Sequence, residues 1–149
     1  MSVDVSTEIV INKPRDLVAC FVSDPFNAPA WYVNIKSVKW KTSPPLAVGS
    51  RIEFVAHFLG KRLAYTYEII DHVPGERLVM STDERPFPME TSYEWRSLSE
   101  NRTRMTLRNR GEPRGFGKMI GPLMPAAMRR ANQKDLERLK TLLESENNT

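Results

Sequence analysis

The feature that most constrains the fold is one long amphipathic helix placed last, behind a run of strands that cannot close a core alone. From about Pro125 to Ser145 the apolar residues Met128, Leu136, Leu139, Leu142 and Leu143 fall three or four apart, with Ala131 on the same stripe. Arg129, Arg130, Lys134, Glu137, Arg138 and Lys140 cover the remaining surface. Between Asn34 and Arg110 the pattern switches to period two, the alternation of half-buried strands. A bent antiparallel sheet wrapped round one helix encloses space, and enclosed space in a protein suits a small apolar ligand.

The rest of the chain supplies the elements that such a helix needs. Val3, Val5, Thr7, Ile9 and Ile11 share one face of a first strand. Asn12 is expected to cap a helix from Pro14 to Val22, with proline in its first turn and Leu17, Val18 and Phe21 turned inward. Ser23-Asp24-Pro25 stops it, and a short helical or turn segment from Phe26 to Tyr32 leads into a strand at residues 35–42. Pro44-Pro45 and Gly49 mark the next connection. The strand at 51–59 puts Ile52, Phe54, Ala56 and Phe58 together, and Gly60-Lys61 reverses the chain into 62–71 with Leu63, Tyr65, Tyr67 and Ile69 on one face. His72 to Glu76 reads as a turn, 78–82 as a short strand, and Arg85-Pro86-Phe87-Pro88 as an interruption of the pairing. Residues 89–98 and 103–110 form a last hairpin. The order is β-α-α-β-β-β-β-β-β-α in one expected domain spanning residues 1–149, with no internal repeat.

Composition excludes several classes of function. No apolar run approaches the ~20 residues of a membrane span. The N-terminus lacks a basic, then apolar, signal pattern, and one cysteine allows no internal disulfide, so a cytoplasmic protein is expected. Cys20, between Leu17, Val18 and Phe21, reads as a small buried hydrophobe. The net charge of +4 is concentrated late: residues 96–140 carry twelve Lys and Arg against four Asp and Glu. That invites a nucleic-acid reading, but Arg102, Arg104, Arg108 and Arg110 occupy even positions beside odd Met105 and Leu107, the solvated face of a strand. Glu90 and Glu94 can pair with them across the hairpin, and no aromatics are interleaved to stack on bases. Nucleic acid is therefore not an expected partner.

With the elements in order, the chain resembles the helix-grip fold of the START-like SRPBCC superfamily, which includes polyketide cyclase/dehydrase-type proteins. The resemblance rests on Ile11-Asn12-Lys13-Pro14 opening the first helix, Ser23-Asp24-Pro25 with Trp31, and Val48-Gly49-Ser50 entering a strand. Val73-Pro74-Gly75-Glu76-Arg77-Leu78 between strands and Asp135-Leu136-Glu137-Arg138-Leu139-Lys140 in the last helix complete it. It covers nearly the whole chain, and each motif is structural. It implies an α+β fold in which a curved antiparallel seven-stranded sheet wraps a long C-terminal helix, with a cavity between them.

An aromatic and methionine interior is by itself more often a plain core than a binding site; the resemblance turns the reading to a cavity. Tyr93 and Trp95 should point to the same side as Met105 and Leu107, joined by Phe54, Phe58, Tyr65 and Tyr67, with Met89, Met105, Met119, Met124 and Met128 as adaptable lining. The expected ligand contacts are Trp31, Phe54, Phe58, Tyr65, Tyr67, Tyr93, Trp95, Asn109, Met124, Met128 and Asn132. Asn132 stands on the apolar stripe, where a buried amide needs a backbone group or a ligand carbonyl. The segment from Gly115 to Pro125 reads as the sheet-to-helix junction, with a ligand gate as its alternative. His57 is expected on the exposed strand face, and with His72 and Cys20 scattered no metal or other cofactor is expected. No nucleophile motif is present. The reading is a carrier of a small hydrophobic molecule, monomeric or homodimeric. Its rival is a cyclase- or dehydratase-type enzyme, which needs an inward polar pair among Tyr65, Tyr67, Asn109 and Asn132.

Overall fold

The computed structural model describes residues 3–58, 60–82, 88–111 and 124–145. Their order is β1 (Val3–Ile11), α1 (Arg15–Ser23), a single 3-10 turn (Pro25–Asn27), α2 (Ala28–Trp31), β2 (Ile35–Trp40), β3 (Arg51–Phe58), β4 (Lys61–Val73), β5 (Arg77–Thr82), β6 (Met89–Ser99), β7 (Arg102–Gly111) and α3 (Met124–Ser145). The strands form one antiparallel sheet in the order β1-β7-β6-β5-β4-β3-β2, so the first strand closes onto the last. This is the α+β helix-grip arrangement that the resemblance implies. The interruption expected at residues 85–88 and the junction from Gly115 to Pro125, with Met119, lie outside the described residues apart from Pro88, Met124 and Pro125, the last two of which begin α3.

Strict alternation makes the sheet two-faced. Along β6, Met89, Thr91, Tyr93 and Trp95 are buried; along β7, Thr103, Met105 and Leu107 are. Tyr93 sits opposite Leu107, and Trp95 opposite Met105. The other face carries the basic residues, and its charge is absorbed on both sides. Arg110 pairs with Glu90 of β6 at 2.9 Å, while Arg108 forms a two-pronged pair with Asp4 of β1 at 2.7 and 2.9 Å. The β1 carboxylates are partners the hairpin pattern alone did not reveal. Backbone crowding decides one residue: a Cβ on Gly111 would stand 2.1 Å from the Pro88 carbonyl oxygen, so only glycine fits where β6 and β7 meet.

Helix α3 lies against this inner face, beside β1 in particular. It is latched at several points: Lys140 Nζ donates to the Val10 carbonyl at 2.8 Å and pairs with Glu144 at 2.6 Å, Glu144 accepts the Asn12 N–H at 2.8 Å, and Arg138 Nε donates to the Ala30 carbonyl. Three local expectations differ. Asn12 does not cap α1; the helix begins at Arg15, so Pro14 occupies the cap position, with no side-chain bond. Val18 and Phe21 of α1 face the core as expected, joined by Ala19 and Val22, but Leu17 is 44% exposed and Cys20 is exposed as well. Residues 17–22 are apolar without a break, so no period marks the buried side. His72 belongs to β4, which runs on to Val73, while His57 is exposed as expected.

Candidate functional site

Between the N-terminal half of α3 and the inner face of β3–β7 lies a cavity of about 170 Å³. Each wall follows from strand alternation. Phe54 and Ala56 come from β3, Leu63, Tyr65 and Tyr67 from β4, Met80 from β5, Met89, Thr91 and Tyr93 from β6, and Asn109 from β7. Met128, Ala131, Asn132 and Asp135 descend from α3, and Tyr32, Asn34 and Ile35 complete the lining. The rings meet edge to face: Phe54 and Tyr67 at 5.7 Å between centroids, Tyr65 and Tyr67 at 6.4 Å.

Of the sequence-predicted contacts, Phe54, Tyr65, Tyr67, Tyr93, Asn109, Met128 and Asn132 line this cavity. Trp31, Trp95 and Met124 do not. Trp31 is packed against Tyr32 and Tyr93, Trp95 stacks on Tyr93 at 6.2 Å, and Met124 is sealed in a cluster with Val3, Val5 and Met128. Met105 is likewise fully buried in the core. Each belongs to the interior by its strand or helix face, but neighbouring side chains fill the space around it. The Phe58 side chain lies outside the described residues.

Tyr32 and Tyr93 share a hydroxyl–hydroxyl bond of 2.5 Å. Asp135 Oδ1 accepts the Val33 N–H at 2.9 Å, which ties α3 to the chain leaving α2. Thr91 Oγ1 donates to Asn109 Oδ1 at 2.7 Å, so Asn109 is already engaged within the protein. Asn132 is 5% exposed, and its Nδ2 has no partner among the described residues. Sequence reasoning missed Tyr32 and Asp135. Tyr32 sits in a connection with no period to mark it. Asp135 did carry a signal: it follows Met128 by seven residues and precedes Leu139 by four, spacings that share a helix face.

Burial sets the titration of these groups. It pushes the Asp135 carboxyl up to about 6, against the opposing pull of the Val33 N–H and the Arg138 charge. It raises the Tyr67 hydroxyl to about 12, with the Thr91 bond acting the other way, and holds Tyr32 and Tyr93 well above the usual tyrosine range. These tyrosines are therefore hydrogen-bond donors at neutral pH rather than bases. Among the described residues Asp135 is the one charged side chain on the lining, with no Lys, Arg or His beside it there. Among the described residues no group of three His, Cys, Asp or Glu could hold a metal ion, and no helix is long and apolar enough to cross a membrane.

Comparison with known proteins agrees with this architecture. No curated protein matches the chain. Among solved structures it is similar to a START superfamily protein from Mycobacterium smegmatis (14% identity, 97% of this chain and 99% of the other, TM-score 0.84). It is also similar to the Zhui aromatase/cyclase from Streptomyces (16% identity, 97% and 94%, TM-score 0.80) and to a protein from Thermus thermophilus (19%, 97% and 99%, TM-score 0.82). These likenesses establish a shared fold. The family model described as polyketide cyclase / dehydrase and lipid transport matches residues 2–144, and the chain belongs to that family.

Proposed function

We propose that this protein binds a small hydrophobic molecule, non-covalently, in the cavity between α3 and the sheet. The observation that carries the reading is the cavity itself: about 170 Å³ of space walled by Phe54, Tyr65, Tyr67, Met80, Met89 and Met128. Packed interiors hold few voids larger than a water molecule. Aromatic walls with flexible methionines supply apolar area, worth about 25 cal/mol per Å² removed from water. The family's association with lipid transport supports the same reading. The test is native mass spectrometry of freshly purified protein, followed by titration of small apolar compounds against intrinsic tryptophan fluorescence. A stoichiometric adduct or saturable quenching, weakened by Tyr67→Ala, is expected. A bare mass together with no response to any compound would overturn the reading.

One observation favours a second reading, a cyclase- or dehydratase-type enzyme. Asp135 lines the cavity and titrates near 6, where a carboxylate can take and return a proton at neutral pH. The assay is exchange of the α-protons of an enolisable ketone with deuterated water. Enzymatic action predicts exchange rising through pH 6 and lost in Asp135→Asn; exchange no faster than in buffer rejects it.

A further inference from the structure

We propose that the cavity selects a neutral, single-ring ligand whose carbonyl oxygen accepts a hydrogen bond from the Asn132 side-chain amide. The inference rests on the ligand-binding reading above and specifies its substrate class. Three independent observations converge on it.

The first is size. A dry cavity of about 150 Å³ is known to hold one benzene ring. At about 170 Å³ this one has room for a ring and a short substituent.

The second is charge. Among the described residues no cationic side chain lines the space, and the one charged group there, Asp135, is a carboxylate only 2% exposed. A ligand anion would lose its hydration and meet a like charge, so fatty acids and aryl carboxylates are disfavoured.

The third is the unused donor. Asn132 lines the cavity and is buried, yet its Nδ2 has no partner among the described residues, whereas native interiors satisfy nearly all such groups. The amide nitrogen can only donate, so what it lacks is an acceptor. Its neighbours on the lining are committed elsewhere: Asn109 to Thr91, Tyr32 to Tyr93 and Asp135 Oδ1 to Val33. A ligand carbonyl among aromatic walls meets that donor without leaving a second polar group exposed to them.

The experiment compares acetophenone, ethylbenzene, benzoate and 2-acetonaphthone at pH 8. Affinities are measured by calorimetry on the wild-type chain and on Asn132→Leu, with Asn132→Met as a second variant should leucine not be accommodated. The preference for acetophenone over ethylbenzene should fall about tenfold in the variant, the effect of one net hydrogen bond. Taking the ratio removes the two compounds' different hydration. In the wild type, the carbonyl stretch of bound acetophenone should lie below its value in hexane, which needs no variant. Benzoate and the two-ring ketone should not bind where acetophenone saturates. An unchanged ratio, or an unshifted stretch, overturns the Asn132 assignment and leaves the cavity reading standing. Benzoate or acetonaphthone binding as tightly as acetophenone overturns the neutral, single-ring class. If ethylbenzene and acetophenone both fail to bind, this inference falls, and the cavity reading stands or falls on the native mass and the wider panel of apolar compounds.

Discussion

The two halves of α3 lie on the same sheet, and their inward side chains are equally buried, yet they make opposite kinds of interior. Towards the C-terminal end, Leu136, Leu139 and Leu143 mesh with Val18, Ala19 and Val22 of α1, with Trp31 of α2 and with Trp95 and Met105 of the sheet. At that end α1 packs on β6 and β7 and α2 packs on α3, so the inner face of the sheet is closed. Towards the N-terminal end the inward residues are Met124, Met128, Asn132 and Asp135, no second helix closes the layer among the described residues, and the cavity opens beneath them. One helix thus carries a leucine face that specifies packing and a methionine–amide–carboxylate face that leaves space. Close packing and open space fall to different turns of the same element, and that separation can be tested.

The largest effect is expected from truncating matched positions in the two halves. Leu139→Ala removes a fully buried side chain from the close-packed end. It should cost about 4 kcal/mol, since the rigid surroundings leave a new void. Met128→Ala borders space that is already there and has fewer contacts to lose. It should cost about 2 kcal/mol and admit a larger ligand. Urea denaturation with unchanged m reads the difference; equal costs would mean that the two ends are packed alike.

Asp135 marks the boundary, and its titration sharpens the contrast. Its folded pKa of about 6 lies above the ordinary 3.8, so the folded state holds the proton more tightly than the unfolded chain. Stability from this group is complete below pH 3.8, falls as pH rises through 6, and is gone above it. A shift of this size corresponds to about 3 kcal/mol at most. Asp135→Asn keeps an oxygen for the Val33 N–H and cannot ionise. It should be more stable than the wild type at pH 8 and no more stable at about pH 3.5, as read by thermal melts across that range. A pH-independent difference would show that the carboxylate is solvated rather than buried.

The same contrast explains what could be read in the sequence. The close-packed end announces itself: Leu136, Leu139 and Leu143 keep helical spacing, and Tyr93, Trp95, Met105 and Leu107 alternate with charged residues, so the sheet's inner face and the helix it grips follow directly. Where every residue is apolar, as from Leu17 to Val22, the pattern carries no phase, and the buried side of α1 could be told only in part. At the cavity end the difficulty is different. Whether an inward side chain lines space or fills it depends on its neighbours' volumes, which is why Tyr93 lines the cavity while Trp95, two residues along the same face, does not. Asn132 was visible as a polar residue on an apolar stripe. Asp135 shares the helix face of Met128 and Leu139, but a carboxylate among Lys134, Glu137 and Arg138 reads as solvated surface.

The smallest effect tests the seam between the two ends. Tyr93 stacks on Trp95 on the packed side and lines the cavity on the other, and its hydroxyl is bonded to Tyr32. Tyr93→Phe removes that bond while keeping the ring, and should cost about 1 kcal/mol. Tyr32→Phe should cost a similar amount, and the double variant less than the sum, because both lose the same interaction. If the hydroxyl pair serves only the packed end, ligand affinity in Tyr93→Phe should match the wild type. A change in affinity as large as the change in stability would place the pair in the binding site, extending that end of the molecule one side chain deeper into the core.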